Sequence, residues 1–379
     1  MRVLTLTPFY PTASNDAEGC FVAESVVSLA ELGVAMEVVA VQPWYHPLAT
    51  PRAGRWTSTR LRYLSWPGNK GLAGAGRSLH RGLSRFVQRK TDQPFHLIHA
   101  HAPLPCGHAA LLLSRKLGIP FVVTVHGLDA FLTEQVKGSA GLTCREVARE
   151  VYEDASRVIC ISRSVAEVVQ RGACEKAKTE VVYNGVNSNL FSPGGETSAT
   201  HTVLSVGNLI PIKGHELLLR AIADVANACP QVKLRIIGEG PERPRLEALS
   251  RELNLAGRVE FLGRRARTEV ANEMQNCTVF VLPSRFEGLG CVYLEAMACG
   301  KPVVACRGQG IGDIVASEVN GFLVSPDQPE ELSLVLQKLL ADGQLRASVG
   351  AAGRETVLWD LTLEHQAAQL HAIYKECVA

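Results

Sequence analysis

The sequence predicts two α/β domains, each built on a parallel sheet, and three observations carry that expectation. Its 379 residues are more than a single core of ordinary size holds. Short β-branched runs alternate with amphipathic stretches, as successive βαβ units do. Between residues 278 and 306 one such unit can be read in full. An apolar run (Thr278–Leu282) feeds a glycine-containing turn, a helix of about three turns ends at Gly300, and a second apolar run (Val303–Cys306) follows. Loops of this kind lie at the carboxyl ends of parallel strands, where open α/β sheets bind ligands.

Taken in order, Val3–Thr7 reads as a strand, Phe21–Leu32 as a helix stopped by Gly33, and Met36–Val41 as a strand again. The loop Pro8–Gly19 contains a single glycine, so the G-x-G-x-x-G of a dinucleotide-binding turn is missing and a dehydrogenase is disfavoured. Leu72–Lys90 predicts a helix with Leu72, Ala75, Leu79, Leu83, Phe86 and Val87 on one face and Arg77, His80, Arg81, Arg85 and Arg89 on the other. Phe95–His101, Pro120–Val125, Arg157–Ile161 and Glu180–Tyr183 complete the first set of strands. Phe191–Thr200 is rich in turn formers and lacks periodicity, which marks a linker. Val203–Val206, Lys233–Ile237, Arg258–Leu262 and Gly321–Val324 then supply strands for a second domain, and Leu363–Cys377 a terminal helix. The expected domains are residues 1–195 and 200–360.

Composition is that of a globular protein, with 46% hydrophobic and 20% charged residues. Net charge is only +2, but residues 50–90 hold ten Lys or Arg and no Asp or Glu. A basic amphipathic helix there either lies on an anionic bilayer or packs its stripe on the sheet and leaves its charges solvated. No run of eighteen apolar residues occurs, so no membrane span is expected. Eleven cysteines without any Cys-x-x-Cys pair read as buried, reduced thiols. With the N-terminus entering a strand directly, these features give a cytoplasmic expectation, with peripheral attachment to the inner face of the plasma membrane as an addition.

Several side chains stand where chemistry is expected. Glu287 and Glu295 bracket the turn after Leu282, and Gly288 and Gly290 permit close backbone approach there. His99 and His101 share one face of their strand, but no carboxylate or thiol at ligand spacing joins them, so no metal is expected. Pro120–Val125 delivers His126-Gly127-Leu128-Asp129 at its carboxyl end.

The stretch Pro-Ser-x-x-Glu-Gly-Leu-Gly, followed by Leu-Glu-Ala-Met-Ala-x-Gly-x-Pro-Val-Val-Ala, resembles the donor-site motif of retaining glycosyltransferases of family 4. The resemblance implies the GT-B fold, two Rossmann-like domains facing across a cleft, with the terminal helix (361–379) returning to the first. It implies catalytic roles for His126, Glu287 and Lys213. It places Gly19, Asn208, Gly238, Gly240, Gly288, Leu289, Gly290 and Glu295 at the donor, and His101 and Asp129 on the acceptor side. Asn208 stands where the family usually has a diphosphate-gripping arginine, which leaves Lys213 as the matching cation. No Asp-x-Asp occurs, so no metal clamp and no cofactor are expected. If most of their interval is helical, Glu287 and Glu295 lie on the order of 12 Å apart along the axis. A glycosidase pair needs roughly 5 to 5.5 Å, so the two serve separate parts of one long ligand, Glu287 the sugar and Glu295 the ribose.

The expected partners are therefore a nucleotide-sugar donor, a glycan or lipid-linked glycan acceptor and an anionic membrane surface through residues 50–90, but not nucleic acid. A nucleotide-sugar epimerase of the same fold and a non-catalytic nucleotide-sugar-binding protein are the alternatives.

Overall fold

The structure, a computed structural model, describes residues 1–52, 54–90, 93–127, 129, 139–173, 178–194 and 201–379. Among these the chain forms two compact units, one of Met1–Asn184 with Leu363–Ala379 and one of Gly185–Thr362.

In the first unit the elements run β1 (Arg2–Thr7), α1 (Cys20–Glu31), β2 (Ala35–Pro43), β3 (Thr59–Tyr63), α2 (Leu72–Gln88), β4 (Leu97–His101), α3 (His108–Leu117), β5 (Phe121–Val125), α4 (Ser139–Asp154), β6 (Arg157–Cys160), α5 (Arg163–Val168) and β7 (Thr179–Val181). The second unit holds β8 (Thr202–Val206), α6 (His215–Ala228), β9 (Lys233–Ile237), α7 (Arg243–Glu252), β10 (Val259–Gly263), α8 (Arg267–Asn276), β11 (Val279–Leu282), α9 (Cys291–Ala298), β12 (Val303–Cys306), β13 (Phe322–Val324), α10 (Pro329–Ala341) and α11 (Gly343–Asp360). The last helix, α12 (Leu363–Val378), belongs to the first unit. The sheets are ordered β3-β2-β1-β4-β5-β6-β7 and β10-β9-β8-β11-β12-β13. Every strand pairing in them is parallel.

Both sheets follow from the buried apolar runs. β4, β5, β11 and β12 are buried at every position, as strands covered on both faces must be. The second unit closes over Leu218, Ile222, Leu234, Ile236, Val281, Leu336 and their neighbours. In the first, Ala367, Leu370, Ile373 and Tyr374 of α12 pack with Val3, Leu29, Leu97, Val122 and Ile159. This shared cluster holds the terminal helix on the first sheet.

The changeover between units falls at Asn184/Gly185 rather than in the stretch 191–200. Val186 N–H donates to Leu361 O at 2.9 Å, and the guanidinium of Arg267 lies 5.2 Å from the centroid of the Phe191 ring. Those contacts tie residues 186–191 to the second unit. Residues 195–200 lie outside the described residues.

The apolar stripe of α2 is used inside the first unit. Leu72, Ala75, Leu79 and Leu83 are buried, and a Cβ on Gly76 would come within 2.6 Å of the His108 side chain of α3. The stripe therefore does not face a bilayer. Arg77, Arg81, Arg85 and Arg89 remain exposed.

Candidate functional site

In the second unit the loops after β8, β9 and β10 are laced together by backbone bonds. Gly207 N–H donates to Ile237 O (2.9 Å), Leu209 N–H to Glu239 O (3.0 Å) and Gly238 N–H to Gly263 O (3.0 Å). A Cβ on Gly238 would sit 1.9 Å from Gly207 O, and one on Gly240 would sit 2.3 Å from Leu209 O. Contact between loops thus accounts for these two glycines without invoking a ligand. Asn208 is exposed between them.

Gly214 performs the corresponding task one loop on. Its φ is 72°, and a Cβ there would lie 2.0 Å from Pro283 O. Only glycine combines that conformation with that approach. Arg285 N–H completes the join by donating to Ile212 O at 2.8 Å. Lys213 is thereby set against Glu287, and its ammonium donates to the carboxylate oxygen Oε1. Ser284 Oγ donates to the same oxygen at 3.1 Å. The two side chains retain 20% and 12% exposure, so the pair is sheltered but open on one side. Among the described residues, Oε2 of Glu287 receives no hydrogen bond.

Beyond this turn Leu289 is fully buried, backbone and side chain alike. Gly290 (φ 81°) opens α9 where a Cβ would strike the Tyr293 ring, and the Tyr293 hydroxyl donates to Leu282 O. Only the part of the Glu287–Glu295 interval from Cys291 onward is helical, less than the sequence estimate assumed, because Glu287–Gly290 form the turn. Glu295 is 6% exposed and accepts from Arg267 at 2.9 Å. The two glutamates therefore sit in separate surroundings with no shared partner. A cavity of about 550 Å³ lies beside the turn, touching Gly214, Pro283 and Arg285 but neither Lys213 nor Glu287.

In the first unit the site grows from register. His101 pairs with Thr124, so alternation carries His126 to its side one pleat beyond the end of β5. The rings of His101 and His126 stack 18° from parallel and share a 2.9 Å hydrogen bond between Nδ1 and Nε2. His99 stacks behind His101 with centroids 4.3 Å apart. Its ring nitrogens meet Tyr374 Oη at 2.5 Å and Thr124 Oγ1 at 2.7 Å. With both nitrogens engaged, His99 has none left for a metal. The Asp129 carboxylate accepts His126 N–H at 2.8 and 3.0 Å, fixing the turn; Leu128 lies outside the described residues.

Burial pushes His99 and His126 down to about 3 and His101 well below the usual histidine range. The three imidazoles are neutral. His126 Nδ1 is buried and has no hydrogen-bond partner among the described residues. Phe9 and Phe21 wall the His126 ring, and a cavity of about 10 Å³ lies among Phe21, His101, His126, Asn184 and Gln366. Gly19 (φ 64°) begins α1 where a Cβ would lie 2.2 Å from the Phe9 carbonyl carbon, so its place is also set by packing.

Two family models match the chain, one described as glycosyl transferases group 1 over residues 188–356 and one as glycosyltransferase family 4 over residues 21–190. An uncharacterized glycosyltransferase of Methanocaldococcus jannaschii is 34% identical over 260 residues, covering 68% of this chain and 69% of its own length. The chain belongs to the group 1, family 4 type glycosyltransferases.

Other members extend the likeness over almost the full length of this glycosyltransferase. The D-inositol 3-phosphate glycosyltransferase of Stackebrandtia nassauensis is 29% identical over 98% of this chain and 90% of its own. The sucrose-phosphate synthase of Thermosynechococcus elongatus superimposes with a TM-score of 0.84 at 25% identity, covering 99% of both chains. Anabaena HepE in complex with UDP shares the fold at a TM-score of 0.77 and 21% identity, over 99% of this chain and 100% of its own. The GT-B architecture and the transferase class follow.

Sequence patterns did not reveal some side chains that organise these sites. Arg267, Ser284, Gln309 and Tyr374 act across the fold, and only Ser284 lies within the recognised motif. No helix of the described residues is long and apolar enough to cross a membrane.

Proposed function

We propose that this glycosyltransferase takes a nucleoside-diphosphate sugar and transfers the sugar, without a metal and with retention, to a glycan or lipid-linked glycan acceptor. The observation that carries the proposal is the Lys213–Glu287 pair. One loop junction offers a cation suited to phosphate and a carboxylate suited to sugar hydroxyls, each charge compensating the other. On donor binding, Lys213 turns to the diphosphate, and Glu287 accepts hydroxyl protons through Oε2. Charge-assisted bonds from a fixed cation are the strong kind, and the negative charge on the departing phosphate grows as the glycosidic bond breaks.

Glu295 is the ribose candidate. His126 is the first unit's candidate for the donor sugar, through its Nδ1. No protein nucleophile is assigned; front-face displacement accounts for retention. Relatives support the donor class, since Anabaena HepE is known with UDP and with UDP-glucose. The exposed arginines of α2 fit attraction to an anionic lipid surface, which would bring the enzyme to a lipid-linked acceptor.

The proposal is tested by a thermal-shift screen against nucleotides and nucleotide sugars, because a ligand bound only by the native state raises its stability. Transfer assays with the donors that bind then follow. Sugar transfer that is lost in Glu287→Gln supports it. An isomerised donor, or binding without turnover, would replace it with the epimerase or the non-catalytic reading.

A further inference from the structure

Gln309 lies in the loop after β12, twenty-two residues beyond Glu287 in sequence. It is 8% exposed, and both ends of its amide are spent on the Glu287 turn. Oε1 accepts Glu287 N–H at 2.8 Å, and Nε2 donates to Arg285 O at 2.7 Å. One partner can only donate and the other can only accept, so the amide has one orientation that satisfies both. The next residue adds a third bond, Gly310 N–H donating to Glu287 O at 3.1 Å. Glu287 is thus bracketed on its own backbone N–H and C=O by the Gln309–Gly310 loop. On the opposite side Ile212 O holds Arg285 N–H, and Lys213 and Ser284 hold the carboxylate.

A loop whose working carboxylate must meet small, directional hydroxyls gains most from such bracing, because a turn on its own is free to pivot. Leu282 and Tyr293 anchor the two ends of the 283–290 turn. Between these anchors, the described backbone bonds at Arg285–Glu287 run to the 207–214 loop and to Gln309–Gly310.

We infer that Gln309 is a positioning residue that sets where the Glu287 carboxylate points, and hence the fit of the sugar rather than of the nucleotide. This rests on Glu287 serving the sugar as proposed above. Gln309→Met keeps the length and removes both hydrogen bonds. A displacement on the order of 1 Å at a reacting centre costs about 10²-fold in rate. The expected result is a fall in kcat of roughly that size, with the Kd of the nucleoside diphosphate of the working donor unchanged. A second readout is the double-mutant cycle: in a Glu287→Gln background, Gln309→Met should add nothing, because its whole effect passes through Glu287.

Gln309→Glu, which keeps the acceptor for Glu287 N–H but replaces the donor to Arg285 O by a carboxylate oxygen that the carbonyl repels, carries the same test if the methionine variant fails to fold, with a comparable loss of kcat expected. Parallel loss of kcat and nucleotide affinity, or fully additive effects in the cycle, would overturn the inference by showing a general structural role. So would parental turnover in Gln309→Met while Glu287→Gln is impaired. Parental turnover in Glu287→Gln would instead overturn the reading on which the inference stands.

Discussion

Acidification from about pH 7.5 to about pH 5.5 should weaken the first unit, and the size of the loss follows from the stacked imidazoles. His99 and His126 are held down to about 3 by burial, with the charge of His126 adding to the effect at His99. In the unfolded chain each titrates near 6.5. Because the folded values are depressed, the native state stays unprotonated over this window while the unfolded state takes up protons. Stability is therefore full above the unfolded value and declines as the pH falls below it. Each of the two histidines contributes a loss on the order of 1 kcal/mol. His101, depressed by burial and by its two histidine neighbours, acts in the same direction. Urea unfolding at the two pH values, read on the transition that includes the first unit, measures the sum. His126→Gln isolates one share, since its stability should depend on pH by on the order of 1 kcal/mol less than the parent's. An identical dependence in parent and variant, or a parent that gains stability on acidification, would refute a chain of neutral buried imidazoles.

Other perturbations probe the second unit and the basic face. Arg267→Met should cost about 3–5 kcal/mol, because it leaves the Glu295 carboxylate buried without its partner, and Arg267→Met/Glu295→Leu should recover much of that. For a unit of this size the single variant should melt on the order of 10 °C lower; a loss under about 1 kcal/mol would mean that the pair is effectively solvated. Lys213→Ala should lose more affinity for a non-hydrolysable donor than Arg264→Ala, Arg265→Ala or Arg307→Ala. A parental Kd in Lys213→Ala would show that the phosphate site lies elsewhere. Replacing Arg77, Arg81 and Arg85 by Gln should reduce pelleting with anionic vesicles and leave neutral ones unaffected, at roughly 1 kcal/mol per basic residue at low salt. Equal pelleting of parent and variant removes the lipid surface from the account.

Much of the fold was legible because buried parallel strands are continuous apolar runs: β9 and β12 fall where the pattern puts them, at Lys233–Ile237 and Val303–Cys306. β3 escaped notice for the opposite reason. Its Thr-Arg-Leu-Arg-Tyr lies at the edge of the sheet, where charged side chains protect an unpaired strand and erase the apolar signal. At the site, Glu287 and Lys213 were legible through a resemblance in local wording, and the structure adds that they touch. Gly238 and Gly240 show how far a glycine pattern reaches. The resemblance places them at the donor, and the structure packs each against the carbonyl of another loop. Gln309 and Arg267 were silent because their partners lie 22 and 28 residues away, and no period or spacing encodes an amide that reaches across two loops. The His99–Tyr374 contact spans 275 residues and exists only because the terminal helix returns to the first sheet.

The most direct test of the central claim is the stereochemistry of transfer. With a nucleotide sugar selected by the binding screen and a chelator present, the anomeric configuration of the new glycosidic bond is read by proton NMR as the product forms. The account predicts undiminished transfer and a product with the donor's own anomeric configuration, both lost in Glu287→Gln. An inverted product, or turnover that stops with the chelator and returns with a divalent cation, would contradict it.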